Sequence, residues 1–144
     1  MSTPASIRGH PIHPMLVALP IGLWVFSFAA DIVFVAGWGG PVWRVIALYN
    51  LAAGVLGALL AAVPGFIDFF SIADRRVGKI ALIHMSMNLL AVALFALSFG
   101  LRFATVGTLP LLISAAGLVS LAIAGWLGGE LVYIHQMGVG KPPR

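Results

Sequence analysis

The chain contains no cysteine. That excludes disulfides, thiolate zinc sites, cysteine-ligated iron–sulfur clusters and covalent c-type haem attachment. Charge is the second scarcity. Only 8% of the 144 residues are Asp, Glu, Lys or Arg, against about a quarter in soluble domains. With 61% of residues hydrophobic, too little polar surface remains to coat a water-facing globule, so a soluble enzyme is excluded. The net charge of +4 is no nucleic-acid signal, because the eight basic residues stand singly or in one short group. They read as charges flanking a membrane.

What the chain has in abundance is long apolar runs. Crossing hydrocarbon takes about 20 apolar residues, and four windows reach that length: 15–36, 45–63, 80–99 and 109–133. Their only ionisable groups are Asp31 in the first, His84 in the third and Glu130 in the fourth. Turn chemistry separates them, at Gly37 to Pro41, Asp74 to Lys79 and Gly100 to Thr108. Connections this short predict antiparallel neighbours. The expected fold is all-α, an integral membrane antiparallel four-helix bundle forming one transmembrane domain over 1–144. The first apolar run, about 22 residues, exceeds the 7–15 or so of a signal-peptide core and is expected to be a span.

Basic residues set the expected orientation. Arg8, Arg75, Arg76, Lys79, Lys141 and Arg144 fall on one side, and only Arg44 and Arg102 on the other. This bias predicts a multi-pass protein of the bacterial cytoplasmic (inner) membrane with both termini cytoplasmic.

Each window carries a stripe of small and polar residues at helical spacing. The first holds His13, Val17, Pro20, Trp24, Ser27 and Asp31; the second Asn50, Gly54, Gly57, Ala61, Pro64 and Asp68. The third holds His84, Asn88, Ala91, Phe95 and Ser98, and the fourth Ser114, Gly117, Leu121, Ala124, Gly128 and His135. Such stripes face the bundle interior. Gly54, Gly57 and Gly117 read as packing positions.

Ionisable groups in a bilayer are costly and tend to be functional and paired. All four histidines, His10, His13, His84 and His135, fall toward the cytoplasmic end, with Asp68 and Glu130. In Gly9-His10-Pro11-Ile12-His13-Pro14, each proline pushes the preceding residue extended. A polyproline-like stretch would aim His10 and His13 the same way. Asp31 is expected to pair with Arg44 or Arg102. Asp68 is expected to pair with Arg75 or Arg76 or to orient a histidine, and Glu130 to find a histidine or tyrosine across the bundle. A faint internal echo places His13 and His84 at helix starts and Asp68 and Glu130 at helix ends, 55 and 46 residues apart. Two hairpins related by an axis along the membrane normal would produce it.

The N-terminal Gly9 to Val17 stretch running into Leu19-Pro20-Ile21-Gly22 resembles a bacterial four-helix membrane family, the domain-of-unknown-function family twenty-two thirty-one. Pro64-Gly65-Phe66-Ile67-Asp68, Lys79 to His84 and Gly125 to Tyr133 resemble it too, so nearly the whole chain is covered. Members occur beside or fused to Rieske-type iron–sulfur proteins, so the resemblance implies redox work.

Among chemistries for the histidine end, a haem b electron-transfer site fits best. The expected axial pair is His84 and His135, on facing antiparallel helices. His13 is the substitute if the fourth helix ends before His135. Gly128 would let a flat macrocycle approach, Asn88 would hydrogen-bond beside it, and Arg76 and Lys79 would pair with propionates. Asp68 and Glu130 would orient the histidines from behind. One alternative is a non-haem divalent metal held by His84, His135, His13 and His10 with those acids; another is a structural accessory subunit of a larger membrane complex. The expected role is electron carrier or subunit rather than stand-alone enzyme. A quinone or a Rieske-type or other redox subunit is the expected partner, within an oligomer or larger complex in the lipid bilayer.

Overall fold

A short hairpin precedes the first helix. In the computed structural model, which describes residues 3–104 and 107–139, strands β1 (Ser6–Ile7) and β2 (His10–Pro11) pair antiparallel. Arg8 and Gly9 form the two-residue turn, with φ of 50° and 81°. Positive φ at both central residues matches the right-handed strand twist, and Gly9 makes it cheap. The turn sends His10 out into solvent, where its Nδ1 meets the Arg8 carbonyl at 3.2 Å. His10 and His13 therefore do not share one extended face. Pro11 keeps the extended conformation expected of it (φ −68°, ψ 129°), and His13 already belongs to the first turn of a helix.

Four helices follow: α1 (Ile12–Val35), α2 (Val42–Phe69), α3 (Arg75–Ala104) and α4 (Leu109–Gly129). Each is long and apolar enough to cross a membrane, α4 when taken with the turn that extends it. Helices α2 and α3 run past both limits of their apolar runs, because charged and aromatic ends continue them into the interface, whereas α1 starts before residue 15 but stops at Val35 and α4 starts at Leu109 as expected. Pro14 sits in the first turn of α1, where its missing N–H costs nothing. Pro20 and Pro64 lie inside α1 and α2 and are buried against neighbouring helices. Asp74 caps α3, accepting the N–H groups of Arg76 at 2.7 Å and Val77 at 3.1 Å. These two bonds hold its carboxyl below the ordinary value, helped by the nearby charges of Arg76 and His135. After Gly129 the backbone loosens into one π-helical turn, Glu130–Ile134, and helical structure stops before His135.

The exterior is apolar, with Leu19, Leu56, Leu60, Leu112 and Val119 all exposed. Exposed Trp126, Tyr133 and Phe70 ring one end, and Trp38 and Phe103 the other, as interfacial aromatic belts do. The interior follows the stripes. Pro20, Trp24, Ser27 and Asp31 of α1 are buried, as are Gly54, Gly57, Ala61, Pro64 and Asp68 of α2. Ala91, Phe95 and Ser98 of α3 meet Ser114, Gly117 and Ala124 of α4. Asn50 instead turns its amide onto the Ile46 carbonyl of its own helix, and Ala47 and Leu51 fill the core there.

The bundle is two hairpins, α1–α2 and α3–α4, each packed tightly within itself and joined through side chains. At mid-depth Trp24 stacks on Phe95, with ring centroids 4.2 Å apart and planes 18° from parallel. Gly54 is the bed for the Trp24 indole and Gly117 for the Phe95 ring, so both glycines do serve packing.

Candidate functional site: a histidine pair on the bundle axis

His13 projects from the first turn of α1, and its Nδ1 lies 2.8 Å from the Ala61 carbonyl of α2. His84 projects from α3, and its Nδ1 lies 2.8 Å from the Ala124 carbonyl of α4. A carbonyl can only accept, so Nδ1 donates in both rings, and in a neutral imidazole that leaves the lone pair on Nε2. One turn beyond each carbonyl comes a glycine that the ring lies against. A Cβ at Gly65 would stand 2.8 Å from His13 Nδ1, and one at Gly128 would stand 3.0 Å from His84 Cε1. The two rings approach each other with centroids 6.2 Å apart and planes nearly perpendicular, at 87°. Both are part-buried.

Asn88, one turn along α3, places its Nδ2 3.2 Å from His84 Nε2 and donates to the His84 carbonyl at 2.9 Å. Gly128 is beside the site as expected, although what it admits is the imidazole itself. The Nε2 of His13 has no hydrogen-bond partner among the described residues.

The remaining expected site residues are not part of this pair. His135 follows Gly128 by seven residues, a rise of about 10 Å along the helix. There it lies 4.0 Å from Glu130, the residue opening the same π turn. Glu130 thus finds a histidine within its own segment rather than across the bundle. Asp68 is buried, and its Oδ1 accepts the Ala5 N–H at 2.9 Å rather than meeting Arg75, Arg76 or a histidine. It fastens the N-terminal hairpin onto the end of α2. Arg75, Arg76 and Lys79 are exposed on the first turns of α3, at the same end as the pair. Lys141 and Arg144 lie outside the described residues. Among the described residues no cluster of three or more His, Asp, Glu or Cys gathers in metal-binding geometry.

At the opposite end Asp31 meets Arg102 rather than Arg44. Arg102 grips both carboxylate oxygens, with Nη1 to Oδ1 at 2.7 Å. Arg44 reaches the Arg102 carbonyl at 3.4 Å.

The hairpins repeat each other in register. A shift of 71 residues carries His13, Trp24, Ser27 and Asp31 onto His84, Phe95, Ser98 and Arg102. A shift of 63 carries Ala47, Gly54, Ala61 and Gly65 onto Pro110, Gly117, Ala124 and Gly128. The bonds repeat too. Ser27 donates to the Ala47 carbonyl at 2.7 Å and Ser98 to the Pro110 carbonyl at 2.8 Å. Matched histidine bonds span 48 and 40 residues, and matched serine bonds 20 and 12. The second hairpin is therefore eight residues tighter around its connection. The echo in the sequence was one position out: the counterpart of Asp68 is the buried Leu131, not Glu130. The sequence placed Ala61 on an inward stripe and gave His13 as the substitute ligand, but it did not identify the Ala61 carbonyl or Gly65 as neighbours of His13. The small residues at a four-residue step in both hairpins, Ala61 with Gly65 and Ala124 with Gly128, were the available signal.

These features define a polytopic α-helical membrane protein with a histidine pair at one end of an internally repeated bundle. A family model described as "Predicted membrane protein (DUF2231)" matches residues 9–141, and the chain belongs to that family. Nothing among curated proteins or solved structures matches it.

Proposed function

We propose that the protein is a b-type haem electron carrier of the membrane, or the haem-bearing subunit of a larger redox complex, in which His13 and His84 would hold the haem. The 6.2 Å separation of the two rings carries this reading. A metal–nitrogen bond is about 2 Å, so imidazoles on opposite sides of one ion place their ring centres about 6 Å apart, and tetrahedral ones about 5 Å. The observed spacing suits an opposed pair. Two protein ligands suffice for a haem, whereas a zinc cage needs three or more.

The donor set also fits. Carbonyls of Ala61 and Ala124 fix both rings by Nδ1, the arrangement that orients a ligating imidazole and raises its basicity. Asn88 must release His84 Nε2, yet it keeps its bond to the His84 carbonyl when it does. A bound haem would supply a one-electron couple. The chain's part would be to hold two imidazoles beside each other inside the bundle and to offer Arg75, Arg76 and Lys79 to carboxylates at that end. The basic bias of the same end supports its being cytoplasmic, in the bacterial inner membrane. A quinone or a redox subunit at that face would then exchange electrons with the site. Reporter fusions at Gly40 and Val77 should read periplasmic and cytoplasmic respectively.

The test is the absorption spectrum of protein purified from the membrane, taken oxidised and reduced, with elemental analysis alongside. A Soret band that shifts on reduction is expected. A non-haem metal would show in the analysis without that band. Protein with neither would be a structural subunit, and either outcome overturns the haem reading.

A further inference from the structure

The other end of the bundle holds a second polar site. A recess of about 300 Å³ opens there, lined by Asp31, Phe34, Arg44, Arg102, Thr108 and Leu111 among others. Two guanidinium groups face one carboxylate, leaving one positive charge unbalanced. Asp31 engages both terminal nitrogens of Arg102, whose side chain is only 7% exposed. The Nε of Arg102 is buried with no hydrogen-bond partner among the described residues. An unmet donor on a buried cation is costly, so a missing acceptor is the expected reason for it. Arg44 is exposed and, among the described residues, meets the site through its 3.4 Å bond to the Arg102 carbonyl, which leaves further donors on its guanidinium. The N-terminus of α4 closes the recess, and its N-cap residue, Thr108, makes no side-chain capping bond. Pro110 leaves the first turn one N–H fewer, but the N–H groups of Leu109 and Leu111 and the helix dipole still favour an anion.

We propose that this recess binds a phosphate oxyanion, held by Arg44, Arg102 and the start of α4. Two sources share that chemistry: the headgroup of an anionic phospholipid and free phosphate. The apolar wall of Phe34, Val35, Pro110 and Leu111 beside the charges suits the lipid, whose chains would continue along the exterior. Asp31 occupies both terminal nitrogens of Arg102, so the fork that matches phosphate geometry is the guanidinium of Arg44.

Native mass spectrometry of the purified protein with phosphatidylglycerol, and thermal-shift titration with inorganic phosphate, separate the sources. Wild type should retain one phosphatidylglycerol. Arg44→Gln should weaken retention about tenfold, the loss of one charge-assisted contact, and Arg44→Lys should recover part of it. Leu111→Trp fills the recess without altering charge and should displace the lipid. Arg44-dependent stabilisation by inorganic phosphate with no lipid retained would assign the site to the free anion. Equal retention by wild type, Arg44→Gln and Leu111→Trp, with no phosphate response, would overturn the proposal.

Discussion

In the first hairpin Trp24 lies on Gly54 and His13 bonds the Ala61 carbonyl; in the second Phe95 lies on Gly117 and His84 bonds the Ala124 carbonyl. Backbone partners and small residues match, while the side chains meeting on the axis diverge. Asp31 faces its own counterpart Arg102, and Val17 has Asn88 as its counterpart. The repeat supplies the scaffold, and its differences supply chemistry. Opposite charges at matched positions make a bond that two identical hairpins could not, since like charges there would repel. The two histidines remain the same on both sides, as do Ser27 and Ser98 with their matched carbonyl bonds.

The largest effect should come from breaking that asymmetric pair. Arg102→Leu leaves Asp31 buried and uncompensated, at a cost of about 3–5 kcal/mol. Adding Asp31→Leu should restore most of the loss in thermal unfolding. A double variant as unstable as the single one would mean that the pair does not join the hairpins.

Next come the beds under the aromatic rings. A Cβ at Gly54 would stand 2.4 Å from Trp24 Nε1, on an indole 2% exposed. At Gly117 it would stand 3.0 Å from Phe95 Cζ. Gly54→Ala should cost about 3 kcal/mol and Gly117→Ala about 1, read as the difference in unfolding free energy. Equal losses would show that the tighter hairpin has no more room than the first.

The serine bonds sharpen the comparison at smaller scale. Ser98 bonds both the Pro110 carbonyl and the Ser114 hydroxyl, each at 2.8 Å, whereas Ser27 has only the Ala47 carbonyl. Ser27→Ala should cost about 1 kcal/mol, and Ser98→Ala more, because Ser114 loses a partner as well.

The smallest effect concerns how each hairpin starts. No side-chain bond caps α1, whereas Asp74 caps α3. The folded-state value of Asp74 is depressed by those backbone bonds. Its contribution is therefore complete above the unfolded carboxylate's pKa and is lost as pH falls through the lower, folded one. Amide exchange at Arg76 and Val77, corrected for intrinsic rate, should lose protection across that acidic range. Asp74→Asn should remove the pH dependence, and the start of α1 should show none of it.

Much of this architecture was legible in the sequence. Hydropathy located the four spans, and the stripes named most of the core. The partners of Asp31 came down to two arginines, because few charges exist to choose from. What escaped was set by backbone geometry and long-range folding. His10 is extended in β2 as its proline favours, but α1 begins at Ile12, so the second proline did not keep His13 extended and the two histidines part. The π turn ended α4 before His135, the circumstance in which His13 was expected to take its place. Asp68 bonds a backbone N–H of Ala5, 63 residues away, and a backbone donor leaves no trace in residue type. The repeat register slipped by one because acids served as landmarks, whereas the conserved features of the two hairpins are carbonyls and glycines.

The central claim is that His13 and His84 form one site and that His135 stands apart from it. The direct measurement is the reduced-haem spectrum of His13→Ala, His84→Ala and His135→Ala, each checked for membrane insertion. Loss of the band in the first two, with a full band in the third, is the predicted result. A band lost in His135→Ala and kept in His13→Ala would contradict the account.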